Sequence, residues 1–160
     1  MKSLEVAMGD ATVSETSDTV LITFVGSCVA LCLFDSATKI GGLAHVMLPE
    51  IDKHIPNQKT NGKYADQAID YLLDVMQKKG AKLRNIKAKI VGGAQIFASE
   101  SGNSMFTIGK RNIESIKKNL KSNGIPILAE ETGKTYGRWV KFNVNTAAIT
   151  VKSKKGDITL

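Results

Sequence analysis

Two residues in this chain have the types and spacing for nucleophilic chemistry. Cys28 follows Gly26-Ser27, and His45 sits in the run Ala44-His45-Val46-Met47-Leu48-Pro49. A thiol near its free pKa is a poor nucleophile until a neighbouring imidazole accepts its proton, so such a pair is the minimum equipment for cysteine acyl transfer. The Gly26-Ser27 pair suits a tight turn, which would leave the sulfur at a strand mouth among unpaired backbone N–H groups. Those amides, around Ser27 and Cys28, are the local candidates for holding an oxyanion.

A hairpin would bring the two together. Residues 28 to 34 and 40 to 47 are strand-like apolar runs on either side of the polar break Asp35-Ser36-Ala37-Thr38. With those four residues as the loop, Phe34 faces Lys39 and Cys28 faces His45 directly. Directly opposed Cα atoms lie about 4.5–5.5 Å apart, close enough for sulfur and ring nitrogen to meet. A loop one residue longer or shorter would send the two side chains to opposite faces. Cys32 lies on the same strand face amid Val29, Ala30, Leu31 and Leu33, and reads as a small core hydrophobe rather than a second nucleophile.

The other elements follow from periodicity and punctuation. Residues 4 to 8 and 19 to 25 read as strands. The stretch 49 to 62 carries Pro49, Pro56 and Asn61-Gly62 and reads as a loop beside His45. His54 in that loop reads as an exposed histidine, and its spacing from Cys28, Cys32 and His45 fits no standard zinc motif, so no metal is expected. Ala65, Ala68, Ile69, Leu72, Leu73 and Met76 recur at helical spacing, with Gly80 as the stop. A strand from 85 to 91 ends in Gly92-Gly93-Ala94, which lacks the following Gly-Lys-Ser/Thr of a phosphate loop and reads as close backbone packing. A second helix spans about 110 to 122, with Ile113, Ile116 and Leu120 on one stripe and Asn123-Gly124 as its end. Arg111 and Asn112 at its start read as capping, pairing or solvated residues. Strands are expected near 126 to 131, 136 to 144 and 147 to 152, with Trp139 as a core anchor. No internal repeat or low-complexity segment interrupts the chain.

Composition narrows the classes. The 160 residues, 42% of them hydrophobic, suit one globular domain spanning 1 to 160. No run approaches the roughly 20 apolar residues that cross a bilayer, and the start lacks a signal-like apolar stretch, so a cytoplasmic protein without membrane insertion is expected. Two cysteines four apart on one strand are poorly placed for a disulfide, which fits a reducing compartment. The net charge of +7 comes from dispersed lysines that read as solvated faces, and with aromatics at 6% and no recognised motif, nucleic-acid binding is not expected.

Val25-Gly26-Ser27-Cys28-Val29-Ala30-Leu31-Cys32 together with Ala44-His45-Val46-Met47-Leu48-Pro49 closely resembles the CheD family, the chemoreceptor glutamine deamidases of bacterial and archaeal chemotaxis. Lys63-Tyr64-Ala65-Asp66, Lys89-Ile90-Val91-Gly92-Gly93-Ala94 and Ile108-Gly109-Lys110-Arg111-Asn112 follow in the same order, so the resemblance covers roughly residues 4 to 152. It implies an α+β fold, a layered α/β/β sandwich with two strand-rich layers and about two main helices. It also implies a protein-glutamine glutaminase, an amidohydrolase with Cys28 as nucleophile, His45 as general base and acid, and no cofactor. A threonine that orients the imidazole stands six residues before the cysteine in the family pattern, a place held here by Ile22. Thr23 stands one residue nearer, and a segment shorter by one residue assigns it the role. The implied partners are methyl-accepting chemoreceptors as substrates and the CheC phosphatase, which CheD proteins bind and stimulate. For Arg111 and Asn112, whose block is a family signature, the resemblance leaves open a role in shaping the site or a partner surface. Methyl-esterified glutamate offers the same acyl carbon, so glutamate methylesterase activity is a further expectation. Two rival readings remain open: a non-catalytic adaptor that binds CheC or receptors, and a cysteine hydrolase of small amides.

Overall fold

The computed structural model describes residues 1–51, 54, 61–96 and 107–160. The described part contains ten strands: β1 (Lys2–Glu5), β2 (Ala11–Ser14), β3 (Thr19–Val25), β4 (Val29–Asp35), β5 (Ile40–Val46), β6 (Ile86–Gly92), β7 (Ile127–Thr132), β8 (Arg138–Asn143), β9 (Ile149–Ser153) and β10 (Gly156–Thr159). It contains two α-helices, α1 (Ala65–Lys78) and α2 (Ile108–Ser122). Most of the loop expected over 49 to 62 lies outside the described residues.

The strands form two five-stranded sheets, in the orders β1-β3-β8-β9-β10 and β2-β5-β4-β6-β7. β4 explains the layering. All seven of its residues are buried, because Val29, Leu31 and Leu33 face the helices while Ala30, Cys32 and Phe34 face the first sheet. A strand covered on both faces must be apolar throughout, which is why Val29-Ala30-Leu31-Cys32-Leu33-Phe34 shows no alternation. The helix-side core takes Ala68, Ile69, Leu72 and Met76 of α1 and Ile116 and Leu120 of α2. The inter-sheet core takes Leu21 and Val25 of β3 and Val140 and Phe142 of β8. Helices, second sheet and first sheet therefore stack as the expected α/β/β layers.

The β4–β5 hairpin differs from the sequence expectation in register. Asp35 pairs with Ile40 and Ala30 with His45, so Cys28 does not lie opposite His45. The cause is Asp35, which ends the strand instead of opening the loop. Its carboxylate accepts the N–H groups of Ala37 at 2.9 Å and Thr38 at 3.3 Å, an Asx turn. The turn then closes through Lys39, whose φ is 62°. Moving both ends of the loop by one residue shifts the pairing by two, so the faces are preserved even though the partner changes.

Trp139 is also not the core anchor expected. It is 48% exposed and packs against Phe24, directly across the β3–β8 ladder, with ring centroids 5.1 Å apart. Arg138, Val140 and Phe142 take the inward positions of β8, which leaves Trp139 on the outer face of the first sheet. Among the described residues, both helices pack on the opposite side of the molecule, against the second sheet.

The second Asp35 oxygen accepts the Lys82 N–H at 2.9 Å, tying the hairpin turn to the start of the next strand region. Replacing Asp35 by Ala should strip three backbone donors of a charged acceptor and cost about 3 kcal/mol in chemical denaturation. A loss below about 0.5 kcal/mol, the level of an ordinary surface change, would show that the turn holds without it.

Candidate active site

Thr23 occupies an inward position of β3 and is 2% exposed. Its Oγ1 lies 2.7 Å from His45 Nδ1 and donates to the Val6 carbonyl at 2.8 Å. A hydroxyl carries one proton, and a carbonyl can only accept. Thr23 therefore spends its proton on Val6 and must accept from His45, which places the ring proton on Nδ1 and leaves the lone pair on Nε2. An imidazole with that tautomer can act as a base through its outer nitrogen. His45 is 3% exposed, and burial pushes its pKa below the ordinary histidine value, so the neutral form prevails near pH 7.

Cys28 sits where the chain passes from the first sheet to the second, between the end of β3 at Val25 and the start of β4 at Val29. It lies two residues before Ala30, the partner of His45, and packs on the inter-sheet side. The thiol is thus diagonal to His45 on one face rather than opposite it. Cys28 stands one residue beyond the last rung of the β4–β5 pair, Val29–Val46. Among the described residues the thiol makes no hydrogen bond. Burial raises its pKa, and with a neutral His45 beside it the resting pair is uncharged. Cys32, by contrast, is fully buried in the inter-sheet core, where burial drives its pKa far up.

The turn at Gly26-Ser27-Cys28 is held entirely by its carbonyls. Gly26 O accepts from the Ala94 N–H at 3.0 Å, Ser27 O from Asn112 Nδ2 at 3.3 Å, and Cys28 O from the Gly93 N–H at 2.8 Å. The N–H groups of the same three residues have no hydrogen-bond partner among the described residues. Gly92, at φ 119°, makes this possible, since a Cβ there would lie 2.4 Å from the Cys28 oxygen. The Gly92-Gly93-Ala94 run, read from sequence as close backbone packing, packs against the cysteine turn itself.

The structure brings Cys28, His45 and Thr23 to one end of the two-sheet interface and leaves Cys32 in the core below. Sequence reasoning missed the Val6 carbonyl, for which backbone atoms carry no residue signal. The residues alone read Asn112 as capping, pairing or solvated, with a role in shaping the site or a partner surface left to the family resemblance; the side chain is fully buried behind Ser27. Its place in a helix otherwise patterned as amphipathic was the available clue.

Residues 47–153 match the family model described as CheD chemotactic sensory transduction. The chemoreceptor glutamine deamidase CheD of Halalkalibacterium halodurans is 40% identical over 150 residues, covering 94% of this chain and 93% of that protein. The protein of the same name from Thermotoga maritima is 40% identical over 153 residues, covering 94% and 92%. A probable chemoreceptor glutamine deamidase CheD from Lachnoclostridium phytofermentans is 41% identical over 150 residues, covering 94% and 92%. With this coverage, and with a cysteine, a histidine and a threonine gathered at one end of an α/β/β sandwich, the chain belongs to the CheD family.

Proposed function

We propose that this protein deamidates glutamine side chains of chemoreceptors, with Cys28 as nucleophile, His45 as general base and acid, and Thr23 as the residue that orients His45. The observation that carries the reading is the Thr23–His45 hydrogen bond at 2.7 Å, which presents the unprotonated Nε2 on the face shared with Cys28. The names of the relatives supply the substrate class.

The reaction follows from the groups. Sγ attacks the carboxamide carbon while its proton passes to His45 Nε2. The developing oxyanion meets the Ser27 and Cys28 N–H groups, which have no partner among the described residues and lie across their peptide planes from the bonded Gly26 and Ser27 carbonyls. Collapse breaks the C–N bond, and His45 returns the proton to the departing ammonia. The thioester is then hydrolysed by a water that gives a proton to His45, which releases glutamate and restores the thiol. Because both groups rest neutral, the proton moves with the attack rather than before it.

The same acyl carbon in a methyl-esterified glutamate has a better leaving group, so methylesterase activity belongs to the same site. Binding and stimulation of CheC, and a cytoplasmic location, rest on the resemblance. Both cysteines are free, which suits a reducing compartment. Among the described residues no helix is long and apolar enough to cross a membrane.

Mass spectrometry of a receptor cytoplasmic fragment should show glutamine converted to glutamate by the wild type and not by Cys28→Ala. Conversion by Cys28→Ala would remove the nucleophile assignment, and no conversion by either folded protein would favour the adaptor. Thr23→Val keeps the shape but removes the acceptor for Nδ1–H, and kcat should fall by about 100-fold, the lower end of what a positioned base contributes. An unchanged kcat would dismiss Thr23. Protonated His45 cannot accept the thiol proton, so kcat/KM should fall as pH drops through a midpoint below the ordinary histidine value of about 6.5. An acid limb centred above pH 7 would contradict a buried neutral histidine as the base.

A further inference from the structure

The β4–β5 ladder stops at the pair Val29–Val46, one step short of Cys28. Continued in register, Cys28 would face Met47 and Ser27 would face Leu48, but the strands part there. The N–H groups of Met47 and Leu48 both turn to Lys63 O at 2.9 Å, and the cysteine turn is held by residues 93 and 94. What bridges the parted strands is one side chain. Asn112 Nδ2 donates to Ser27 O at 3.3 Å and to Met47 O at 3.0 Å. Among the described residues neither carbonyl has another partner.

An asparagine at this position carries a cost that its two donated bonds must offset. Asn is a poor residue for a helix interior. Its side chain is fully buried, and Oδ1 has no hydrogen-bond partner. An unmet buried acceptor costs about 1–3 kcal/mol, and an apolar side chain of similar size would remove that cost only by leaving the Ser27 and Met47 carbonyls without a donor. What the carboxamide alone provides is a pair of donors that reach two backbone segments at once. One is the residue before the thiol, and the other lies two residues after the imidazole.

Helix α2 is fixed closely enough to hold such a bridge. Gly109, one turn earlier on the same face, packs so tightly that a Cβ would come 2.6 Å from Gly93 O. Residues three apart share a helix face, so Gly109 and Asn112 lie together against the cysteine turn and the segment that holds it.

We infer that Asn112 is a positioning residue that replaces the missing rungs of the hairpin and sets the separation of the Cys28 thiol from His45. The strands must part so that the turn N–H groups face the substrate instead of a partner strand. Parted strands left unbridged would let the thiol drift from its base. The inference rests on Cys28 and His45 acting as nucleophile and base, and the alkylation readout below needs no substrate.

The test compares Asn112→Leu and Asn112→Asp with Ser115→Ala, which removes one hydrogen bond of the same helix, to Pro49 O, and touches neither the cysteine turn nor Met47. For the Asn112 variants kcat on the receptor fragment should fall by about 100-fold with KM within about threefold, the cost of a misplacement near 1 Å. Iodoacetamide alkylation of Cys28 should lose the pH limb that depends on His45, while circular dichroism and thermal melting still report a folded protein. N112D keeps the side-chain shape and gives the same readout if N112L does not fold. Ser115→Ala should retain both kcat and the limb. Asn112 variants with wild-type kcat and an intact limb would overturn the inference, and so would a Ser115→Ala loss equal to theirs. A wild-type protein whose Cys28 alkylation is indifferent to His45→Ala would instead remove the catalytic reading on which the inference stands.

Discussion

One proton on the Thr23 hydroxyl governs the chemistry available at this site. It goes to Val6 O, so the hydroxyl can only accept from His45 Nδ1, and the imidazole is left with a basic outer nitrogen. That arrangement needs three backbone segments in one place: Val6 just after β1, the middle of β3, and β5 from the other sheet. The face-to-face packing of the sheets is therefore a condition of the base being a base. Burial reinforces the effect, since a charged imidazolium would lose more solvation here than a neutral ring.

Hydrophobic packing between two sheets is not directional, and polar ties set how they sit. Arg138 of β8, fully buried, pairs with Glu131 of β7 and donates to Gly133 O at 2.9 Å. Lys89 of β6 reaches Ala147 O at 2.8 Å and Leu160 O at 3.1 Å, with its pKa lowered by burial. Each tie joins the two sheets. Such groups repay their desolvation only in good geometry, so they penalise sliding of one sheet over the other more than they add net stability. The Thr23–His45 bond, with a tolerance of a few tenths of an ångström, depends on that registration.

The cysteine turn shows the complementary device, a backbone committed on one side so that it stays free on the other. With the Gly26 and Ser27 carbonyls engaged by Ala94 and Asn112, the peptide planes that carry the Ser27 and Cys28 N–H groups cannot rotate without breaking bonds. Donors held in this way need no reorganisation when an oxyanion forms, the condition under which electrostatic stabilisation is most effective.

Much of this was legible in the chain. The motifs around Cys28 and His45, the helix of Ala65 to Met76, the glycine stops, the apolar run of β4 and the layered class follow from residue types and periods, because burial pattern and turn chemistry are local properties. The short strands β2 and β10, four residues each, carry too little pattern to stand out. The register of the β4–β5 hairpin was decided by the Asp35 carboxylate, whose third donor, Lys82, is distant in sequence. Trp139 faces outward because Arg138, needed for the ion pair with Glu131, takes the inward position beside it. The sequence by itself determined which groups could react and that they share a face, since a two-residue change of register preserves side-chain parity. The tertiary structure alone decided the tautomer of His45, the diagonal placement of Cys28 and the burial of Asn112, because each depends on hydrogen bonds between segments 17 to 85 residues apart.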